Sequence, residues 1–245
     1  MWQKGRVLSG NTLKLIAAFS MLIDHIGVIL LPELSVLRIL GRLAFPIFAF
    51  MIAEGCRYTR HRARYFFTML GVGTVCQIVL FVYNRSLEMN VLLTFSLSVL
   101  LIYAFAWCKE EIFAAQPRMG LLLARVALFA ALLCGTGILG ELVDLDYGAE
   151  GALMPLFAAL LHPPRNAQAT HLHRCDDPRL HALLMSMGLL ILALDDGGIQ
   201  FFSFFALPLL LLYLGKRGKW RLKYFFYVFY PAHLLFLQMM AWILF

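Results

Sequence analysis

Long apolar runs separated by short polar ones fill this chain, and most of the runs have the length of a bilayer crossing. Nine stretches read as helices: 13–31, 37–54, 65–83, 90–108, 119–139, 147–162, 181–194, 199–214 and 223–244. About 20 apolar residues in a helix cross the hydrocarbon core. The sixth to eighth stretches are short: sixteen helical residues reach only about 24 Å against a core of about 30 Å. Tilt, local thinning or re-entry would accommodate them, which puts the count at nine within a range of eight to ten. The expected fold class is an all-α, polytopic membrane helix bundle forming a single domain over residues 1–245.

Composition agrees with the pattern. The chain is 62% hydrophobic and 14% charged, with a mean hydropathy of +0.80. A soluble domain would carry about 25% charged residues. No soluble domain of useful size fits between the runs. The net charge of +7 therefore does not point to nucleic acid; cytoplasmic loops of membrane proteins gather Lys and Arg.

Charge also orients the chain. With the N-terminus in the cytoplasm, sixteen of the twenty-one basic residues fall on inner segments, among them Arg57, Arg60, Arg62 and Arg64 in the second loop and Lys216 to Lys223 in the eighth. The outer loops hold Arg38, Arg42 and Arg85 and the acidic residues Glu141, Asp144, Asp146, Glu150, Asp195 and Asp196. Such alternation is the positive-inside rule. The N-terminus has a basic start like a signal peptide, but the run after it is too long and holds Asp24 and His25, so it is expected to stay as the first span. Cys56, Cys76, Cys108, Cys134 and Cys175 are scattered and form no CxxC, so no disulfide framework or redox motif is expected.

The first run carries the sharpest candidate chemistry. Asp24 and His25 lie deep in it, and ionisable residues inside a span mark functional sites by default. Lys14 and His25 are eleven residues apart, close to three helical turns, so they share a face about 16 Å apart along the axis. Lys14 then sits near the cytoplasmic surface and His25 near mid-membrane. Asp24 points about 100° away, toward a second helix. A neutral His suits general-base work; an interhelical polar clamp through Arg42 or Gln77 is the structural alternative for His25 and Asp24. Lys14 alone would be read as a snorkelling cation.

Other polar positions add to this. Arg42 and Glu54 are read as sharing a face of the second span, where both could line the cavity of His25 and Lys14. Pro46 is expected to kink that helix. Arg57, Arg60 and Arg64 fit either membrane anchoring or a phosphate-binding patch. Gln77 needs a partner inside its span, and Asn90 is placed to cap the next helix. Tyr230, Pro231 and His233 sit inside the last span, where a carbonyl freed by proline suits a cavity wall. His171, His173, Cys175 and Asp176, with His162 and His181 nearby, match no closed zinc pattern, and no metal is expected.

These residues carry a resemblance. MLIDHIG in the first span, GRLAFPIFAFMIAEGCRYTR in the second, Tyr147-Gly148 before the sixth and KYFFYVFYPAHLL at the end resemble the TraX family, named for the N-terminal acetylase of conjugative F-pilin. The likeness runs from Leu8 to the C-terminus. A looser one lies inside it: acyltransferase-3 type membrane enzymes carry a basic residue, ten residues and a His in their first span, as Lys14 and His25 do, with Lys in place of the usual Arg.

The resemblance implies a bacterial inner-membrane acetyl or acyl transferase. Acyl-CoA, most simply acetyl-CoA, would come from the cytoplasm, and an amine or hydroxyl acceptor on a peptide, glycan or small molecule would be met at the bilayer. His25 would be the base, with Asp24 beside it. Lys14, with Arg57, Arg60 or Arg64, would hold the CoA phosphates. The alternative is a proton-coupled transporter relaying protons through His25, Asp24, Glu54 and His233.

Overall fold

A computed structural model describes residues 6–85, 88–165, 176–220 and 222–244. Its helices are α1 (Gly10–Ile29), α2 (Ser35–Gly41), α3 (Ala44–Tyr58), α4 (Arg62–Asn84), α5 (Val91–Ile112), α6 (Met119–Leu142), α7 (Gly148–Ala159), α8 (Pro178–Asp196), a 3-10 segment (Gly198–Phe205), α9 (Ala206–Leu211) and α10 (Lys223–Leu244). Among the described residues β-structure is limited to two isolated bridges. Seven helices, counting α2 and α3 as one broken span, are long and apolar enough to cross a membrane. The protein is a polytopic helical bundle, as its apolar pattern predicts.

Contacts divide the chain into two compact units, Met1–Met51 with Leu189–Phe245, and Ile52–Gly188. In the first, α1 packs on α2 and α10. Ser9 caps α1 by accepting from the Thr12 backbone N–H. The segment after α9 folds over that end: the amides of Gly10 and Asn11 donate to the carbonyls of Lys216 and Arg217. Gly41 lets α2 close on α1, because a Cβ there would lie 2.3 Å from the Asp24 side chain. The expected kink in the second span is a full break at Arg42–Leu43. Pro46 is the third residue of α3, where its missing N–H costs nothing, and its ring excludes a regular turn back to Arg42. Ser20 of α1 donates its hydroxyl to the carbonyls of Leu40 and Gly41 beside the break, which satisfies backbone acceptors the interruption would orphan.

In the second unit α5 is the axis, packed by α4, α6 and α7. Asn90 caps it, accepting from the Leu92 amide while its own amide donates to the Gly73 carbonyl and to Oε1 of Gln77 at 2.9 Å each. Gln77 in turn donates to the Glu88 carbonyl. Gln77 is thus spent on joining α4 to the turn before α5, a structural clamp rather than a site wall. Asn90→Ala removes the cap and the side-chain donor to Gly73 and Gln77. It is expected to cost about 2 kcal/mol, read as a lower unfolding temperature in detergent, with Asn90→Asp intermediate because it keeps the cap alone. An unchanged transition for Asn90→Ala would show that this joint contributes nothing.

The short stretches at 147–162 and 199–214 have separate explanations. Helix α7 runs beside α5 for most of its height: Thr94 donates to the Asp146 carbonyl, Ser98 to that of Ala152, and Lys109 to those of Ala159, Leu160 and His162. Lys109 therefore satisfies the orphan carbonyls at the α7 C-terminus with a cation, where the helix dipole favours one. The stretch at 199–214 is lengthened by its backbone instead. A 3-10 helix rises about 2.0 Å per residue against 1.5 Å in α-helix, so Gly198–Leu211 spans about 25 Å rather than 21 Å. The stretch expected at 181–194 is a full-length helix, α8. In this unit Arg57, Arg62, Lys109, Arg118 and Arg165 gather at one end and Glu88, Asp144 and Asp146 at the other, through the contacts that tie each group together.

Candidate functional site

The first unit brings two intramembrane histidines together that are 208 residues apart in sequence. His25 on α1 and His233 on α10 stand with Nε2 of His233 3.1 Å from Nδ1 of His25. The proton arrangement follows from their other partners. Nδ1 of His233 lies 2.8 Å from the Phe229 carbonyl, and Nδ1 of His25 lies 2.9 Å from that of Met21. A carbonyl only accepts, so both Nδ1 atoms carry the proton in neutral rings. Nε2 of His233 is then an acceptor, and it takes a share of the His25 Nδ1–H. Nε2 of His25 is left with its lone pair, the form a general base needs. Phe229 stacks on the His233 ring at 4.9 Å, and Tyr230, buried, meets it edge-on at 5.8 Å.

Asp24 turns away from this pair, as the helical period requires. Its Oδ1 lies 3.5 Å from Nε of Arg38 and 3.8 Å from Nη2 of Arg42 on the α2 side. Arg42 also donates to Oε1 of Gln200 at 3.1 Å. Asp24 and Arg42 thereby form an interhelical clamp. At the other end of α1, Lys14 lies within electrostatic reach of Arg217, beside the basic segment that covers the helix start. Ten residues of helix separate it from His25.

Glu54 belongs to a different constellation, in the second unit. The helix break at Arg42–Leu43 resets the period, and even an unbroken helix would set positions 42 and 54 about 120° apart, so the expectation of a shared face is corrected. Glu54 is buried with His162, from the segment after α7, and His181 of α8. Nε2 of His162 and Nδ1 of His181 face Glu54 Oε1 at 3.5 and 3.7 Å. Nε2 of His181 faces Asp176 Oδ1 at 3.7 Å. Arg57 closes the group, with Nη1 3.7 Å from Glu54 and Nη2 in direct contact with Asp176. Arg60 and Arg64 are exposed at the α3–α4 turn and the start of α4. A cleft of about 950 Å³ opens at this end between Arg62, Arg118, Arg125 and Arg165, with Glu110 and Glu111.

Sequence reasoning found every polar residue of the first unit's pair but not the pairing of His25 with His233. Of the second group it named Glu54 and Arg57 alone as site residues. His162 and His181 entered only as neighbours of the polar loop, although each adjoins an apolar helix, where a buried imidazole needs a partner. His171, His173 and Cys175 lie outside the described residues.

The chain is 28% identical to a protein named probable fimbrial assembly protein FimC, serogroup H1, of Dichelobacter nodosus, across 92% of this chain and 93% of that one. It is 35% identical to an uncharacterised protein of Rickettsia prowazekii (strain Madrid E) across 39% of this chain and 37% of that one. No solved structure matches it. The family model described as TraX protein matches residues 9–241, nearly the whole helical bundle including both histidine groups, and the chain belongs to the TraX family.

Proposed function

We propose that this multi-pass membrane protein is an acyltransferase that moves an acetyl or other acyl group from acyl-CoA to an amine or hydroxyl acceptor, with His25 as general base. The observation that carries this reading is the His25–His233 pair, whose hydrogen bonds leave Nε2 of His25 unprotonated inside an apolar bundle. In the reaction Nε2 takes the acceptor's proton as its nitrogen or oxygen attacks the thioester carbonyl. The carbon–sulfur bond then breaks, and the thiolate of CoA recovers the proton from the imidazolium. His233 lowers the cost of that imidazolium by accepting the Nδ1–H. Family membership and the Lys14-to-His25 spacing, like that of acyltransferase-3 type enzymes, point the same way.

Phosphates of the donor need cations, and Lys14 with Arg217 offers them at the start of α1. The positive-inside pattern sets this end in the cytoplasm, where acyl-CoA is found, and makes the bacterial inner membrane the working location. The relative named for fimbrial assembly makes the amino terminus of a surface-fibre subunit the first acceptor to test.

Acetyl-CoA is expected to raise the unfolding temperature of the purified protein in detergent, and Lys14→Ala to weaken that response by about tenfold in half-saturating concentration. His25→Ala should leave the stabilisation intact while removing transfer. Absence of any acetyl-CoA response, with proton-coupled flux in proteoliposomes instead, would replace this reading by that of a transporter. The contacts already weigh against a relay through Asp24, which is engaged by Arg38 and Arg42.

A further inference from the structure

Three donor groups are buried together in the second unit without hydrogen bonds to account for them. Both oxygens of Glu54, Nε2 of His162 and both ring nitrogens of His181 have no hydrogen-bond partner among the described residues. Their exposures are 4%, 7% and 0%, so bulk water does not serve them. They meet one another and their charged neighbours only at 3.5–3.7 Å, longer than good hydrogen bonds, so a ligand shared between them would complete their bonding.

The spacing says what that is. One ligand atom from each of Glu54, His162 and His181 lies within 4.8 Å of the other two. The contacts to Glu54 Oε1, at 3.5 Å from His162 Nε2 and 3.7 Å from His181 Nδ1, are long for hydrogen bonds. A tetrahedral zinc ion with ligands about 2.0–2.1 Å away holds its donors about 3.3 Å apart. Two imidazoles and one carboxylate are a donor set that zinc and its first-row neighbours favour.

The surroundings fit as well. His181 turns Nδ1 toward Glu54 and Nε2 toward Asp176, so Nε2–H can be held by a carboxylate while Nδ1 ligates. Metal-bound histidines are commonly oriented by a carboxylate in this way. Arg57 holds that carboxylate in place. The formal charge of Glu54, Asp176 and Arg57 is negative by one, so a divalent cation suits the buried group. A cavity of about 40 Å³ lies beside His162 and Arg57.

We propose that Glu54, His162 and His181 form a buried binding site for a divalent first-row metal ion of the zinc class, with Asp176 as the residue that orients His181. The site would tie α3, the segment after α7 and α8 to one another, and it stands independently of acyl transfer.

The test is metal content by mass spectrometry on full-length protein purified in detergent from zinc-supplemented cells, without CoA or acceptor. About one zinc per chain is expected, with loss in Glu54→Gln, His162→Ala and His181→Ala. Asp176→Asn should weaken affinity by about 10–100-fold while leaving the site able to load. Because a ligand variant could fail to fold, wild-type protein stripped by chelator and reloaded with cobalt gives a second reading. Visible d–d bands of a low-symmetry site and a rise in unfolding temperature on reloading support the proposal. Wild-type protein that takes up neither zinc nor cobalt overturns it. So does metal that survives in His162→Ala and His181→Ala but disappears in a His171→Ala/His173→Ala double variant.

Discussion

His25→Ala is expected to lower the rate of acyl transfer from acetyl-CoA by about 10²–10⁴-fold, the usual contribution of a positioned general base. The substitution removes the lone pair at Nε2 together with one hydrogen bond between α1 and α10. The Nδ1–H of His25 is shared between Met21 of its own helix and His233, so its loss leaves one acceptor nitrogen on His233 and one carbonyl at a helix turn. The unfolding temperature should move little compared with the rate. His233 acts one step away. It touches His25 and the Phe229 carbonyl, not the reacting atoms, and is a positioning residue. His233→Phe should cost less than His25→Ala and should move the pH at which the rate rises, because the imidazolium of His25 loses its acceptor. His233→Gln places an amide oxygen where Nε2 stood and should recover part of the rate. Transfer unaffected by His25→Ala would remove His25 from the mechanism, and a His233→Gln variant no better than His233→Phe would make His233 a packing residue.

That pairing shows what a single sequence discloses and what it withholds. The period of an α-helix is local, so it put Lys14 and His25 on one face and turned Asp24 to a neighbouring helix. Asp24 does meet Arg38 and Arg42 there. Membrane spans were legible because hydrocarbon demands about 20 apolar residues in a row. The short stretches were legible as anomalies, but not their remedies: a 3-10 segment that lengthens one, and a lysine from α5 that satisfies the end of the other. The break at Arg42–Leu43 was half visible, since Pro46 announces an irregularity but not where the chain bends. Contacts between distant segments were out of reach. His25 with His233, and Glu54 with His162 and His181, are set by which helices pack side by side, and apolar surfaces of similar composition do not specify that.

Arg57 illustrates the same limit, because two readings of its charge from sequence were phosphate binding and membrane anchoring, and its surroundings favour neither. Its side chain is 16% exposed and its guanidinium is divided between Glu54 and Asp176, with the ring of Tyr58 4.7 Å from its centre. Arg57→Met keeps most of the side-chain length and deletes the charge, leaving two inward-facing carboxylates without their cation. Breaking a buried pair by removing one partner costs about 3–5 kcal/mol, because the other charge stays behind uncompensated. A marked fall in unfolding temperature in detergent is therefore expected. Arg57→Lys should restore part of it, since a single ammonium does not reach both carboxylates as the planar fork does. Adding Asp176→Asn to Arg57→Met should cost less than the sum of the two single changes, because the deserted carboxylate has gone; that non-additivity is the signature of direct coupling. A phosphate contact behaves otherwise. It would leave the unfolding temperature of the free protein unchanged and raise the acetyl-CoA concentration needed for half-maximal rate. The pair of measurements thus separates a cation that holds the fold together from one that waits for a ligand, and the contacts to Glu54 and Asp176 place Arg57 in the first class.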